Sequence, residues 1–174
     1  MKNMISRLCL MLFVALGLQS SVNSQRFALV DVNKVLDNLD DYKKAQDELD
    51  RVAAGWKQEI SIEYDKIKAM YNKYQAEQVL LSDDQRKNKE EEIMAKEKEA
   101  MEMQKAKFGP EGALFMKRQE LVQPIQDKVY KAIQEYATAK GYDLILDKGS
   151  SAGVIFSNPG MDKTSDILKK LGIQ

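Results

Sequence analysis

The chain has 174 residues, with 27 basic and 27 acidic side chains, one cysteine and no histidine. Those counts exclude His-based catalytic triads, disulfides and Cys/His zinc sites. They also leave no overall charge to draw the protein toward nucleic acid or acidic membranes.

Residues 1–24 read as a secretory signal peptide. Lys2 and Arg7 form a basic start, LCLMLFVALGL (Leu8 to Leu18) an apolar core, and Val22 and Ser24 precede an expected cleavage after Ser24. The apolar run is shorter than the ~20 residues that a membrane span needs, so no stable membrane insertion is expected. Cys9 lies early in that core and away from the cleavage point, which argues against a lipoprotein. Cleavage would leave one domain's worth of chain, without Cys or His. Losing Lys2 and Arg7 from the 27 basic residues, against an unchanged 27 acidic, makes the remainder slightly acidic.

RFALVDV (Arg26 to Val32) is a short β-type run. From Asn33 the period becomes helical. Val35, Leu39, Tyr42, Leu49, Val52, Trp56, Ile60, Tyr64, Ile67, Tyr71 and Tyr74 fall mostly three or four residues apart. The steps through 56, 60, 64 and 67 depart from a strict heptad. The stripe stops at VLLSDDQ, where Ser82 and Gln85 have capping-box spacing, Leu81 precedes them, and Asp83 and Asp84 suit a helix start. A second helix carries Ile93, Met94, Met101 and Phe108, then Leu114, Leu121, Ile125, Val129, Ile133 and Tyr136, and ends at Gly141. Two helices joined near residues 81–82 predict an antiparallel hairpin whose arms reach roughly 70–80 Å. Its tip, SDDQRKNKEEE (Ser82 to Glu92), is wholly polar.

KAKFGPEGAL interrupts the second helix with Gly109, Pro110 and Gly112. Inside a helix, Gly costs about 1 kcal/mol and Pro about 3 kcal/mol. Counted from the turn, Pro110 and Gly55 lie at one level, about 40 Å from the tip. This predicts a hinge made of Gly55, Gly109, Pro110 and Gly112. The alternative is a static kink in which Pro110 opens a new helical segment. Pro124 reads as a simple kink.

The C-terminal part predicts a β-hairpin, with strands in YDLILD (Tyr142 to Asp147) and VIFS (Val154 to Ser157) around KGSSAG. DKTSDILKKLG (Asp162 to Gly172) predicts a short capped helix. Three short strands cannot bury a stable core alone, so several copies are expected to share a β-rich base. The expected organisation is a discontinuous oligomerisation body (25–50 and 125–174) and a helical-hairpin tentacle (51–124). The fold class is mainly α with a small β body.

The candidate sites are few. GSSAG lacks the Lys and helix start of a phosphate loop and reads as a turn. The acidic runs LDNLDD and KEEE read as solvated helix faces. No concave pocket is predicted to hold paired catalytic carboxylates. No enzyme activity, catalytic residue, cofactor or metal is therefore expected. Met94 and Met101 fit the seam between the arms, Met70 sits beside Tyr71, and Met103 and Ile62 lie off the stripe. Flexible, polarizable Met suits contact with varied apolar partners. Ile62, Met70, Met94 and Met103 are accordingly the expected contacts for such partners.

ALVDVNKVL entering a helix, the long charged hairpin, KGYDLILDKG (Lys140 to Gly149) and NPGMDKTSDILKKL (Asn158 to Leu171) together resemble the Skp (OmpH-like) periplasmic chaperones. The resemblance implies a homotrimer with an intersubunit β-barrel body. It further implies three helical tentacles around a cavity that holds unfolded outer-membrane β-barrel proteins without ATP. Many family members are strongly basic and this chain is not, so lipopolysaccharide binding is not carried over. The competing reading is a structural or adaptor coiled-coil protein of the cell envelope without holdase activity. A spacer of that kind needs no apolar side chains off the seam.

Overall fold

A computed structural model describes residues 25–150 and 153–173, so the predicted signal peptide (1–24) lies outside the described residues. In chain order the elements are β1 (Phe27–Val30), α1 (Val32–Asp37), α2 (Asp40–Glu77), a 3-10 turn (Gln78–Leu80), α3 (Asp83–Phe108), α4 (Ala113–Lys140), β2 (Leu144–Asp147), a second 3-10 turn (Pro159–Met161) and α5 (Thr164–Lys170). The fold is mainly helical, with a long helical hairpin and a two-stranded sheet.

The single helix expected from Asn33 is two helices. Asp31 caps α1, its carboxylate accepting the Lys34 N–H at 2.9 Å. Asn38 ends α1 by donating its side-chain amide to the Lys34 carbonyl at 2.8 Å. Leu39 is extended there yet buried, and α2 restarts at Asp40. The break turns the chain while keeping the apolar stripe in the core.

The sheet differs from the expected C-terminal hairpin. β1 and β2 pair in parallel, with Phe27 opposite Leu144 and Val30 opposite Asp147. Residues 154–157 form no strand. After β2, Asp147 accepts the Gly149 N–H at 2.9 Å, and Asn33 donates to the Gly149 carbonyl at 3.1 Å. These bonds carry the chain back toward α1 instead of reversing it alongside β2.

The body core joins Val30, Val32, Val35, Leu36, Leu39, Val129, Tyr136 and Ile167, so the start of the chain, α4 and α5 share one apolar interior. Polar bonds fix the C-terminal segment to it. The Asp31 N–H donates to the Thr164 hydroxyl at 2.9 Å, and the Lys163 N–H to the Leu29 carbonyl at 2.8 Å. Tyr136 donates to Asp166 at 2.6 Å. Burial, and then that bond, push the Tyr136 phenol far above its ordinary range, so it remains a neutral donor. Burial alone would raise Asp162. The Lys148 ammonium at 2.6 Å and the Thr164 hydroxyl and N–H outweigh it and hold the carboxyl at about 2.

The hairpin forms as the local signals predict. Ser82 and Gln85 make a complete capping box at the start of α3. Gly141 ends α4 in the left-handed conformation at φ 68°. No helix among the described residues is long and apolar enough to cross a membrane.

Candidate functional site

The seam of the outer arms is narrow. On α2 it uses Ile60, Ile67 and half-buried Tyr74, and on α3 Ile93 and Ala100. Each series repeats every seven residues, the period of a left-handed coiled coil. Tyr74 also donates to Glu90 across the arms.

This register displaces several expected seam residues. Tyr64 and Tyr71 follow Ile60 and Ile67 by four positions and stand at one edge of the seam, with Tyr71 47% exposed. Met94 and Met101 follow Ile93 and Ala100 by one position, which rotates them about 100° off the contact. They are 58% and 56% exposed, so the seam expectation for this pair is corrected. Ile93 and Ala100 hold the buried seam positions in their place.

The displaced residues share one edge. Tyr64 and Phe108 line a shallow depression with Lys57 and Gln104, and the Tyr64 hydroxyl reaches the Gln104 amide oxygen at 3.4 Å. Met101, Gln104, Lys105 and Phe108 line the adjoining depression. One heptad further toward the tip, Tyr71 and Met94 continue the same edge by helical register. The opposite edge is charged, with Lys66 paired to Glu63 at 2.7 Å and Lys96 to Glu99 at 2.6 Å.

The four predicted contact residues are not brought together. Met94 lies on the apolar edge. Met70 is half-buried and packs on Ile67, Ile93 and Ala100. Met103 is half-buried, seven residues after Lys96 and so on the charged edge. Ile62 is exposed two residues past Ile60, on the outer face. Sequence reasoning missed Tyr64, Tyr71, Met101 and Phe108 as edge residues because it assigned them to the seam.

The predicted hinge residues occupy two settings. α3 ends at Phe108 and α4 begins at Ala113, with Gly109, Pro110 and Gly112 in the turn between them. A Cβ on Gly109 would stand 2.4 Å from the Lys105 carbonyl oxygen, and one on Gly112 would stand 2.9 Å from that of Lys107, so both approaches require glycine. Gly112, and not Pro110, precedes the first turn of α4. Gly55 lies inside the unbroken α2, with open space where a Cβ would sit. The levels agree across the hairpin: Trp56, next to Gly55, meets Phe108, next to Gly109.

Comparison with known proteins gives a consistent assignment. The family model for outer membrane proteins of the OmpH-like type matches residues 26–171. The chain is similar to the chaperone protein Skp of Yersinia enterocolitica, 22% identical over 160 residues that cover 91% of this chain and 93% of that protein. Its fold is similar to the crystal structure of a candidate OmpH-like outer membrane chaperone from Caulobacter crescentus CB15. The TM-score is 0.67 at 14% identity, covering 85% of this chain and 84% of that one.

Proposed function

We propose, because the chain belongs to the OmpH-like outer membrane protein family, that it is an ATP-independent periplasmic holdase for unfolded outer-membrane β-barrel proteins. The observation that carries this reading is the one-sided apolar edge of the arms. Tyr64, Tyr71, Met94 and Met101 contribute little to the seam, and a spacer has no use for them. Unfolded barrel strands alternate apolar and polar side chains and pair edge to edge when free. Weak contacts along an aromatic and methionine edge cover such segments without fixing one conformation. Met94 and Ile62 supply exposed client contacts, while Met70 and Met103 contribute through their half-exposed flanks.

In this reading three copies share a body built around the β1–β2 sheet, and their arms enclose a cavity that separates one client from the next. Exposed Ile155 and Phe156, with Leu144 and Leu146, supply apolar surface for that association. The Gly109–Gly112 turn and Gly55 act as the hinge that lets the cavity widen. Release follows from the greater stability of the client folded in its membrane. The signal peptide directs the protein across the inner membrane, and no catalytic step, nucleotide or cofactor takes part.

The test is refolding of an aggregation-prone outer-membrane barrel protein beside the purified chain, followed by turbidity. Suppression at stoichiometric trimer is expected. Unchanged turbidity would leave the structural or adaptor role as the better reading.

A further inference from the structure

The two depressions on the apolar edge share Gln104 and Phe108 and form one groove at the base of the outer arms. Their volumes are about 290 Å³ and 300 Å³. That is the lower end of the size for small-molecule pockets, and it suits one or two side chains of an extended polypeptide. Phe108, Tyr64 and Met101 supply apolar and aromatic surface, and Gln104 a polar group at the centre.

The charged side chains that line it are both ammonium groups, with Glu102 and Glu111 beside Lys105 in the next depression. Lys57 lines one end and Lys105 the other. Among the described residues neither has an ion-pair partner; Lys68, Lys73 and Lys107 of the arms are likewise unpaired, whereas Lys66, Lys96 and Lys98 each pair with a glutamate of their own helix. The neighbouring Glu102 is engaged by Lys98 at 3.8 Å. A third ammonium, Lys107, lies over the Trp56 ring at 4.5 Å on the same level. The groove therefore offers aromatic contact between two uncommitted cations, in a chain whose overall charge is not basic.

We infer that the groove lined by Lys57, Tyr64, Met101, Gln104, Lys105 and Phe108 is a binding site for extended polypeptide segments that carry an aromatic residue flanked by carboxylates. The inference rests on the holdase reading and narrows it to a class of client segment. An aromatic ring packs on Phe108 and Tyr64, and carboxylates two residues to either side on the same strand face meet Lys57 and Lys105. Charge complementarity selects this occupant over a basic segment. General attraction cannot produce the same preference, because the balanced net charge gives acidic peptides no long-range advantage.

The test uses two labelled extended peptides, one repeating Asp-Ser-Phe-Ser, so that Asp stands two residues to either side of each Phe on one strand face, and its twin with Lys at each Asp, titrated into the purified chain by fluorescence anisotropy. The Phe/Asp peptide is expected to bind at least about tenfold more tightly at low salt, with the gap closing at high salt. Lys57→Glu with Lys105→Glu should abolish or invert the preference. Lys66→Glu with Lys96→Glu, the same charge change on the opposite edge, should leave it intact. Equal binding of the two peptides, or a preference that survives the double reversal, overturns the inference. So does a reversal that alters sedimentation or anionic-vesicle binding while peptide preference stays the same, since the groove then serves a second copy or a lipid surface. Turbidity measured in parallel separates the two claims. Suppression without peptide preference sinks the groove assignment alone, and preference without suppression sinks the holdase reading alone.

Discussion

Trp56 on α2 and Phe108 on α3 meet edge to face, with ring centroids 6.2 Å apart and planes at 84°. Phe108 is the last residue of α3, so the contact ties the unbroken arm to the other at the point where it breaks. Lys107 covers the Trp56 ring from a second side. Any bending of the outer arms must work around this contact or open it.

Phe108→Ala should remove an edge-to-face pair worth about 0.5–1.5 kcal/mol beyond its buried area. Trp56 is the only tryptophan, so its emission reports the change directly. A red shift and stronger quenching by iodide are expected in the variant. Identical spectra would mean that the ring pair is not made in solution.

Two glycines at the same level should respond in opposite ways. Gly55→Ala meets open space inside a helix and should stabilise α2 by up to about 1 kcal/mol. Gly109→Ala drives its Cβ into the Lys105 carbonyl and must displace the last turn of α3. Thermal unfolding by circular dichroism should rise for the first and fall for the second. Small-angle scattering should change for both, by a narrower spread of arm conformations for the first and a displaced bend for the second. If Gly55→Ala narrows the range of arm conformations as well, flexing at Gly55 is part of the hinge. If it does not, bending is confined to the turn.

The parts of the fold that depend on neighbours in sequence could be read from sequence. The Ser82–Gln85 cap, the Gly141 terminus and the Gly109–Gly112 interruption each follow from local chemistry. The seam register was less legible. Spacings of three and four do not distinguish Ile67 from Tyr71, and a count of large apolar residues passes over Ala100. The partner of β2 was not legible at all. Its pairing with β1 spans the whole hairpin and is fixed by long-range bonds such as the Asp143 N–H to the Arg26 carbonyl at 2.9 Å. The groove was hidden for the same reason as the seam, because Tyr64 and Met101 become edge residues only once the register is known.

Asp162 gives a pH signature. Its carboxyl titrates at about 2 in the fold, against an ordinary 3.8. A depressed carboxyl contributes stability above its unfolded value and loses it as pH falls toward the folded one. Docking of α5 should therefore weaken between about pH 4 and pH 2. Asp162→Asn lacks that contribution already at neutral pH. Because the carboxylate is about one-third exposed, with a side-chain exposure of 32%, the cost should be about 1 kcal/mol. Urea unfolding at pH 7 and pH 3 checks this. The wild-type advantage should shrink at the lower pH, and a constant difference would assign the loss to packing.

The body leaves apolar surface that one copy does not cover. Ile155 is fully exposed and Phe156 is 86% exposed, and half-exposed Leu144 and Leu146 lie on β2. Burying a side chain of this size stabilises by about 1.5–3 kcal/mol, and a shared interface repeats that gain in every copy. Ile155→Asp with Phe156→Asp should therefore dissociate the assembly while leaving the body core intact, since neither residue belongs to it. Sedimentation velocity should move the variant from the proposed trimer to monomer, with near-native helical content by circular dichroism. A variant that keeps its assembly state would place the interface elsewhere on the body. A wild-type chain that sediments as a monomer would remove the enclosed cavity on which the holdase mechanism depends.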